Sequence, residues 1–528
     1  MKALSLLLAS LLLVPLATDA ADAKPNIVVI LVDDMGFSDI GCYGSEIPTP
    51  NLDALAAKGL RFTQFYNTGR CCPTRASLLT GLYSHQTGIG HMLAKQNAPG
   101  YIGRLNEQCV TVAEVLRDSG YFTAMAGKWH VGQKDGVTPW NRGFERSLNA
   151  PAGGFYSSDT PRKDAELWLN GKQIAKDDPT LPKDWYSSDL WTEFGLRFVD
   201  EAVAAKKPFF LYLAHNAPHF PLQAPQEEIA KFRGRYKAGW DKLREQRHAK
   251  QLELGIVDKA WPLAPRPDQV SAWESLSDER KEHFDQLMAI YAAVVAHLDT
   301  SIGVLVEGLK KHGVFDDTLI LFMSDNGGTA EGGPNGRMEG EVPGSSKSTV
   351  FSGGSWAMLQ NTPFRRSKRF NHEGGIATPL IAHWPAGIKA GNELRKQPAH
   401  VIDIMATCVE VGGAKFPMER NGAAVLPMEG RSLLGSFADQ PIEREALFWE
   451  HEGNAAVRVA DWKLVRAGRN AAWELYDLSK DRTELHDLVS EQPDKAKELA
   501  AKWEAWAARA QVKPYPTAGA QRRNGAQL

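Results

Sequence analysis

Two places in the sequence set acidic side chains just beyond an apolar run: Asp33-Asp34 after 26–32, and Asp325-Asn326 after 318–323. Two further runs end in reactive types, 121–126 before Lys128-Trp129-His130 and 209–214 before His215 and Pro218-His219. Carboxylates ~4 Å apart repel by about 4 kcal/mol per pair at an effective dielectric near 20, so Asp33, Asp34 and Asp325 can converge as anions only around a cation. Three carboxylates and an amide oxygen suit a hard ion, Ca²⁺ ahead of Mg²⁺, rather than zinc. Taken singly, each acidic pair also reads as a turn, and each histidine as a hydrogen-bonded structural residue. Four such strand ends in one chain are harder to explain that way. A second centre is Cys71-Cys72-Pro73-Thr74-Arg75. Pro73 and Thr74 can open a helix that turns Leu78 and Leu79 inward, setting Cys71 beside a helix N-terminus that favours an anion. Arg75 in the first turn offers a fork to an oxyanion. The other reading of these thiols is an inert or disulfide-bonded pair.

The elements that must position these groups follow from the pattern. From Pro25 to about Pro385, short β-rich runs alternate with helical ones, which predicts a mainly parallel α/β sheet with ligands bound at the carboxyl ends of its strands. Strands are expected over 26–32, 121–126, 209–214, 318–323 and 379–383, and helices over 50–60, 111–119, 189–206 and 280–312. The Trp-punctuated segment 226–275 reads as an insertion, and the Gly- and Ser-rich segment 327–355 as a long loop covering a site. Beyond about Leu433, strands over 446–450, 456–466 and 473–478 and a helix over 494–508 predict a smaller α+β C-terminal part with an antiparallel sheet.

Composition narrows the class. The 528 residues carry 61 Lys+Arg against 63 Asp+Glu and are 43% hydrophobic, which describes a folded chain rather than a disordered or fibrous one. A net charge of -2 gives no excess basic surface for nucleic acid. Lys2 and the apolar run 3–16, followed by Ala21-Asp22-Ala23 or Thr18-Asp19-Ala20 as cleavage site, read as a cleaved signal too short to span a membrane. The expected division is an export signal over 1–23, a catalytic domain over 24–400, a C-terminal subdomain over 401–515 and a flexible tail over 516–528. The product is exported, periplasmic or secreted, with no membrane span after cleavage. Five cysteines are too few for a disulfide scaffold, and their odd number leaves one over.

Taken together, these motifs resemble the type I sulfatase family, arylsulfatase-like. The resemblance rests on Cys71-x-Pro-x-Arg75 with its Leu-Thr-Gly extension, Asp33-Asp34, Gly127-Lys128-Trp129-His130, and Ala217-Pro218-His219-x-Pro221. Ser324-Asp325-Asn326-Gly327-Gly328 and Lys368 ahead of Glu373-Gly374-Gly375 complete it. Thr74 stands where many members have serine. The resemblance implies an alkaline-phosphatase-like fold, hydrolysis of sulfate esters, and oxidation of Cys71 to formylglycine by a maturation enzyme. It implies that Asp33, Asp34, Asp325, Asn326 and the oxidised Cys71 hold the cation. Asp325 would deprotonate one hydroxyl of the hydrated aldehyde, which attacks sulfur to give a covalent sulfo-enzyme. Arg75, Lys128 and Lys368 would stabilise negative oxygens, His219 and Lys368 would serve the leaving group, and His130 would help release sulfate. Conversion of Cys71 leaves Cys42, Cys72, Cys109 and Cys408 for up to two disulfides. The same apparatus also serves phosphonate and phosphodiester hydrolases, and a chain keeping the thiol would be a non-catalytic binder of sulfated glycans.

Overall fold

The computed structural model describes residues 24–133 and 136–516. The signal expected over 1–23 and, save its first residue, the tail expected over 516–528 lie outside the described residues. Ten strands lie edge to edge in one sheet, in the order Glu393–Arg395, Leu60–Tyr66, Ala377–His383, Thr318–Ser324, Asn26–Val32, Phe209–Ala214, Phe122–Lys128, Arg146–Ala150, Leu167–Leu169 and Lys172–Ile174. An eleventh, Ala399–His400, also pairs with Leu60–Tyr66. The middle five run parallel, and antiparallel neighbours flank them on both sides. Asn26–Val32 lies between two parallel partners and is wholly buried, which is why its sequence is an unbroken apolar run. Its side chains still alternate. Val28, Ile30 and Val32 face one core with helices Ser187–Ala204 and Asp278–Lys311, while Ile27, Val29 and Leu31 face another with helices Cys71–Thr80 and Val112–Asp118.

Register decides where the chemistry falls. Val32 pairs with Ser324 and Leu31 with Ala214, so the residues that follow these strands emerge at one edge. Helix Asp278–Lys311 is long and apolar enough to cross a membrane, yet 78% of its apolar window is buried in this core. Leu447–His451, Asn454–Val459, Trp462–Arg466 and Glu474–Asp477 form a separate antiparallel sheet. Helix Pro493–Arg509 packs Leu499 and Trp503 onto it.

Several boundaries differ from the pattern-based reading. The helix expected over 50–60 ends at Ala57, and Leu60 opens the strand Leu60–Tyr66, which alternation alone does not reveal. The single strand expected over 456–466 is a hairpin turning at Ala460-Asp461, where Ala460 takes φ +50° without the glycine that usually marks such a turn. The loop expected over 327–355 carries a short hairpin, Arg337–Glu339 with Thr349–Phe351, and the start of helix Gly353–Gln360. The insertion is built on helices Gln226–Ala230 and Gly239–Glu253, with Trp240 and Trp273 packed edge to face at 4.9 Å. None of the five cysteines is in a disulfide.

Candidate active site

The strand ends meet as the register requires. Asp325 donates its backbone N–H to the carbonyl of Val32 at 3.0 Å, which sets Asp325 beside Asp33 and Asp34. Asp34 turns out of the strand at φ +70°, a conformation non-glycine residues adopt uncommonly. His130 does the same at φ +56°. The strand before it closes through Gly127, where a Cβ would come within 2.0 Å of the Ala214 carbonyl oxygen, so only glycine lets Lys128 approach.

Around this edge the charges interlock. Lys128 Nζ donates to Asp33 Oδ2 at 2.6 Å, and Lys368 Nζ to Asp34 Oδ2 at 2.9 Å. Arg75 holds Asp325 Oδ2 through Nε and Nη2 at 3.1 and 2.7 Å, and donates from Nη1 to the Lys128 carbonyl at 3.0 Å. Asn326 Nδ2 donates to Asp34 Oδ1 at 2.7 Å, and His219 Nε2 stands 3.6 Å from Asp34 Oδ2. Burial by itself would raise Asp33, but Lys128, His219 and Arg75 pull its carboxyl below the ordinary range. Asp325 goes the other way, pushed well up by burial and then by the neighbouring Asp33.

Two acceptors in this tightly bonded cluster have no partner: Asp33 Oδ1 and Asn326 Oδ1, both buried. Orphaned buried oxygens are costly, and two of them among carboxylates are what an oxygen-seeking cation would satisfy. The residues present fit such an ion.

Cys71 begins helix Cys71–Thr80 and is buried. Its sulfur, that of Cys72 and a ring nitrogen of His130 lie within 4.8 Å of one another. A hydrogen bond from Cys72 holds the Cys71 thiol well below its ordinary value against the effect of burial, with Lys128 and His130 adding to it. His130 Nδ1 has no partner, and burial followed by the Lys128 charge brings the imidazole down to about 4, so the ring is neutral near pH 7.

The structure thus brings Asp33, Asp34, Cys71, Arg75, Lys128, His130, His219, Asp325, Asn326 and Lys368 to one edge. His215, at the same strand end as His219, is buried with Asp189 as its charged neighbour and contributes no contact to this network. Residues without a motif complete the rim. Glu331 accepts from Lys368 Nζ at 3.3 Å and from Arg70 Nη1 at 3.2 Å, and Glu452 accepts from Arg369 Nε at 2.9 Å. Glu331 was detectable only as an acid inside a glycine-rich loop, and Glu452 comes from the C-terminal sheet with no local signal.

A large mixed sheet flanked by helices, with a buried charge cluster at the carboxyl ends of its parallel strands and a smaller antiparallel sheet behind it, is an alkaline-phosphatase-like fold. The crystal structure of a phosphonate monoester hydrolase of Agrobacterium radiobacter shares this fold at TM-score 0.57 and 19% identity, covering 92% of this chain and 96% of that chain. The crystal structure of Ps i-CgsB in complex with k-i-k-neocarrahexaose matches at TM-score 0.68 and 28% identity, over 92% of this chain and 94% of that one. The sulfatase family model matches residues 25–414, and that of the N-sulphoglucosamine sulphohydrolase C-terminal region matches 365–509. An uncharacterised sulfatase of Schizosaccharomyces pombe is 35% identical over 94% of this chain and 96% of its own length. An arylsulfatase of Klebsiella aerogenes is 35% identical over 80% and 94%. The chain belongs to the sulfatase family and is a sulfuric ester hydrolase.

Proposed function

We propose that the chain cleaves aryl or carbohydrate sulfates with a formylglycine at position 71, made from Cys71 by a maturation enzyme, and that it works outside the cytoplasm, periplasmic or secreted. The observation that carries this reading is the cysteine at a buried helix start, ringed by Arg75, Lys128 and His130 and facing a carboxylate cluster with two unsatisfied oxygens. The sulfur of Cys71 stands where the two hydroxyl oxygens of a hydrated aldehyde would be. Asp33, Asp34, Asp325 and Asn326, with the oxidised residue 71, would hold a divalent cation, Ca²⁺ or Mg²⁺, whose charge steadies a negative sulfate oxygen.

The remaining steps fall to side chains. Asp325, ionised beside the cation, takes the proton of the hydroxyl that attacks sulfur. Lys128, Arg75 and Lys368 bring three buried positive charges to the developing oxyanion. His219 Nδ1 donates to the Phe220 carbonyl, so it is the imidazolium form, facing Asp34, that carries a proton on Nε2 to give the departing alcohol oxygen. His130, neutral and with a free Nδ1, takes the proton of the second hydroxyl as sulfate departs and the aldehyde reforms.

A peptide map of the active protein is expected to show formylglycine at residue 71, with Cys71→Ala folded and without detectable hydrolysis of nitrophenyl sulfate. An unmodified cysteine in fully active protein overturns the mechanism. Nitrophenyl phosphodiester assayed alongside separates this reading from a phosphodiesterase.

A further inference from the structure

A cavity of about 350 Å³ opens between the insertion and the loop that carries Lys368, and no step above uses it. Its wall includes Ala330 and Ser367, the chain neighbours of Glu331 and Lys368, so it lies one residue along the chain from two groups of the site. Four arginines line it, Arg244, Arg266, Arg365 and Arg366, against a single acid, Asp268. Arg266 and Arg365 are paired away from the cavity, with Asp241 and Glu474. The other two are poorly compensated. Arg244 is only 3% exposed, donates to the Ala264 carbonyl, and leaves its Nε without a partner. Arg366 lies over the ring of Phe370 at 4.8 Å and is exposed. Burial holds Arg244 at about 10, as expected of a buried cation short of counter-charge. Phe364, Phe370 and Pro267 supply apolar surface beside these charges.

We propose that this cavity binds a second negatively charged sugar residue, sulfated or carboxylated, next to the one whose sulfate is cleaved. The inference rests on the sulfatase reading and names its substrate class: a glycan with anions on neighbouring units rather than a simple aryl sulfate. Size, charge and surface agree on this occupant. The volume is at the lower end for small-ligand pockets and suits one ring. Guanidinium groups bind sulfate and carboxylate in two-pronged fashion, and flat apolar side chains cover the C–H face of a pyranose. Arg366 and Lys368 are two residues apart, at most about 7 Å along the chain, so anions on adjacent sugar units can reach both.

The test compares disaccharides that carry a cleavable sulfate on the terminal unit, with and without a second sulfate on the adjacent unit. The unaltered chain is expected to prefer the doubly sulfated one. R366A is expected to reduce that preference about tenfold or more, through KM, the worth of one charge-assisted hydrogen bond. R366K should keep part of it, and R266A, which removes an arginine already paired with Asp241, should leave it nearly unchanged. No preference in the unaltered chain, or equal losses on both disaccharides in R366A, overturns the assignment. Calorimetric titration of both disaccharides into the unaltered chain and R366A reads the cavity without turnover. A chain that binds the second sulfate yet hydrolyses no sulfate ester would remove the catalytic reading and support the cavity.

Discussion

Two buried charge clusters in this molecule look alike by composition and differ in how their oxygens are used. At the sheet edge, Asp33 and Asn326 each keep an oxygen without a partner, and two residues take left-handed backbone. Where the C-terminal sheet docks, Glu373 has both oxygens taken. Oε1 accepts from Lys463 at 2.8 Å, and Oε2 accepts from Arg482 and the Tyr66 hydroxyl at 2.8 and 2.9 Å. Its N–H donates to Glu484 at 2.9 Å. Glu484 in this second cluster is also left-handed, at φ +61°, but its Oε1 stands 2.8 Å from Lys463 Nζ, so what sets the sheet edge apart is buried oxygens with no cation beside them rather than buried charge or backbone strain. The second cluster holds structure, and it supports the first by way of the backbone, since Gly327 donates to the carbonyl of Gly375, two residues beyond Glu373.

Replacing one group at a time should separate the two clusters, beginning with the largest effect. Asp33→Asn removes one of three anionic ligands. Metal analysis should find one divalent cation per unaltered chain, calcium before zinc, and little in the variant, with activity lost in parallel; active protein without stoichiometric metal would contradict this. His219→Ala should slow hydrolysis of sugar or alkyl sulfates by about 10²–10⁴-fold and that of nitrophenyl sulfate far less, because nitrophenolate leaves without a proton. Equal losses would make His219 a binding residue only. His130→Ala should instead retain sulfate on residue 71, visible by mass. Lys463→Met leaves Glu373 and Glu484 underpaired, and urea unfolding should show a loss of about 3–5 kcal/mol. Asp33→Asn should cost the metal-free protein less than that. The smallest effect is a pH dependence. Burial alone would raise Glu373, but Lys463 and Arg482 outweigh it and hold the carboxyl at about 2 against an ordinary 4.5. Its contribution is therefore complete above pH 4.5 and lost as pH falls toward 2. The urea midpoint of the unaltered chain should fall more steeply over that window than that of Glu373→Gln.

Most of the candidate site was readable from the sequence because Asp33, Asp34, Lys128, His219 and Asp325 come at or after the end of strands whose apolar runs are distinctive. Asp33, Lys128 and Asp325 are fixed by strand register, and register follows from burial on both faces. The second strand, Leu60–Tyr66, was hidden because its Arg61, Thr63 and Gln64 break the apolar run. Glu331 and Glu452 were hidden for a different reason. Their roles depend on which distant cations face them, Lys368 and Arg70 for one and Arg369 for the other, and no local period encodes such pairings.

The salt link from Lys368 to Asp34 spans 334 residues of chain. Between its two ends lie the helix bearing Cys71, the strands bearing Lys128 and Asp325, and the whole insertion. No contiguous fragment short of that span can assemble this cluster, and a chain still being made lacks it until residue 368 and the segments that brace it are in place. Cleaving power therefore arises late, as a property of the completed polypeptide.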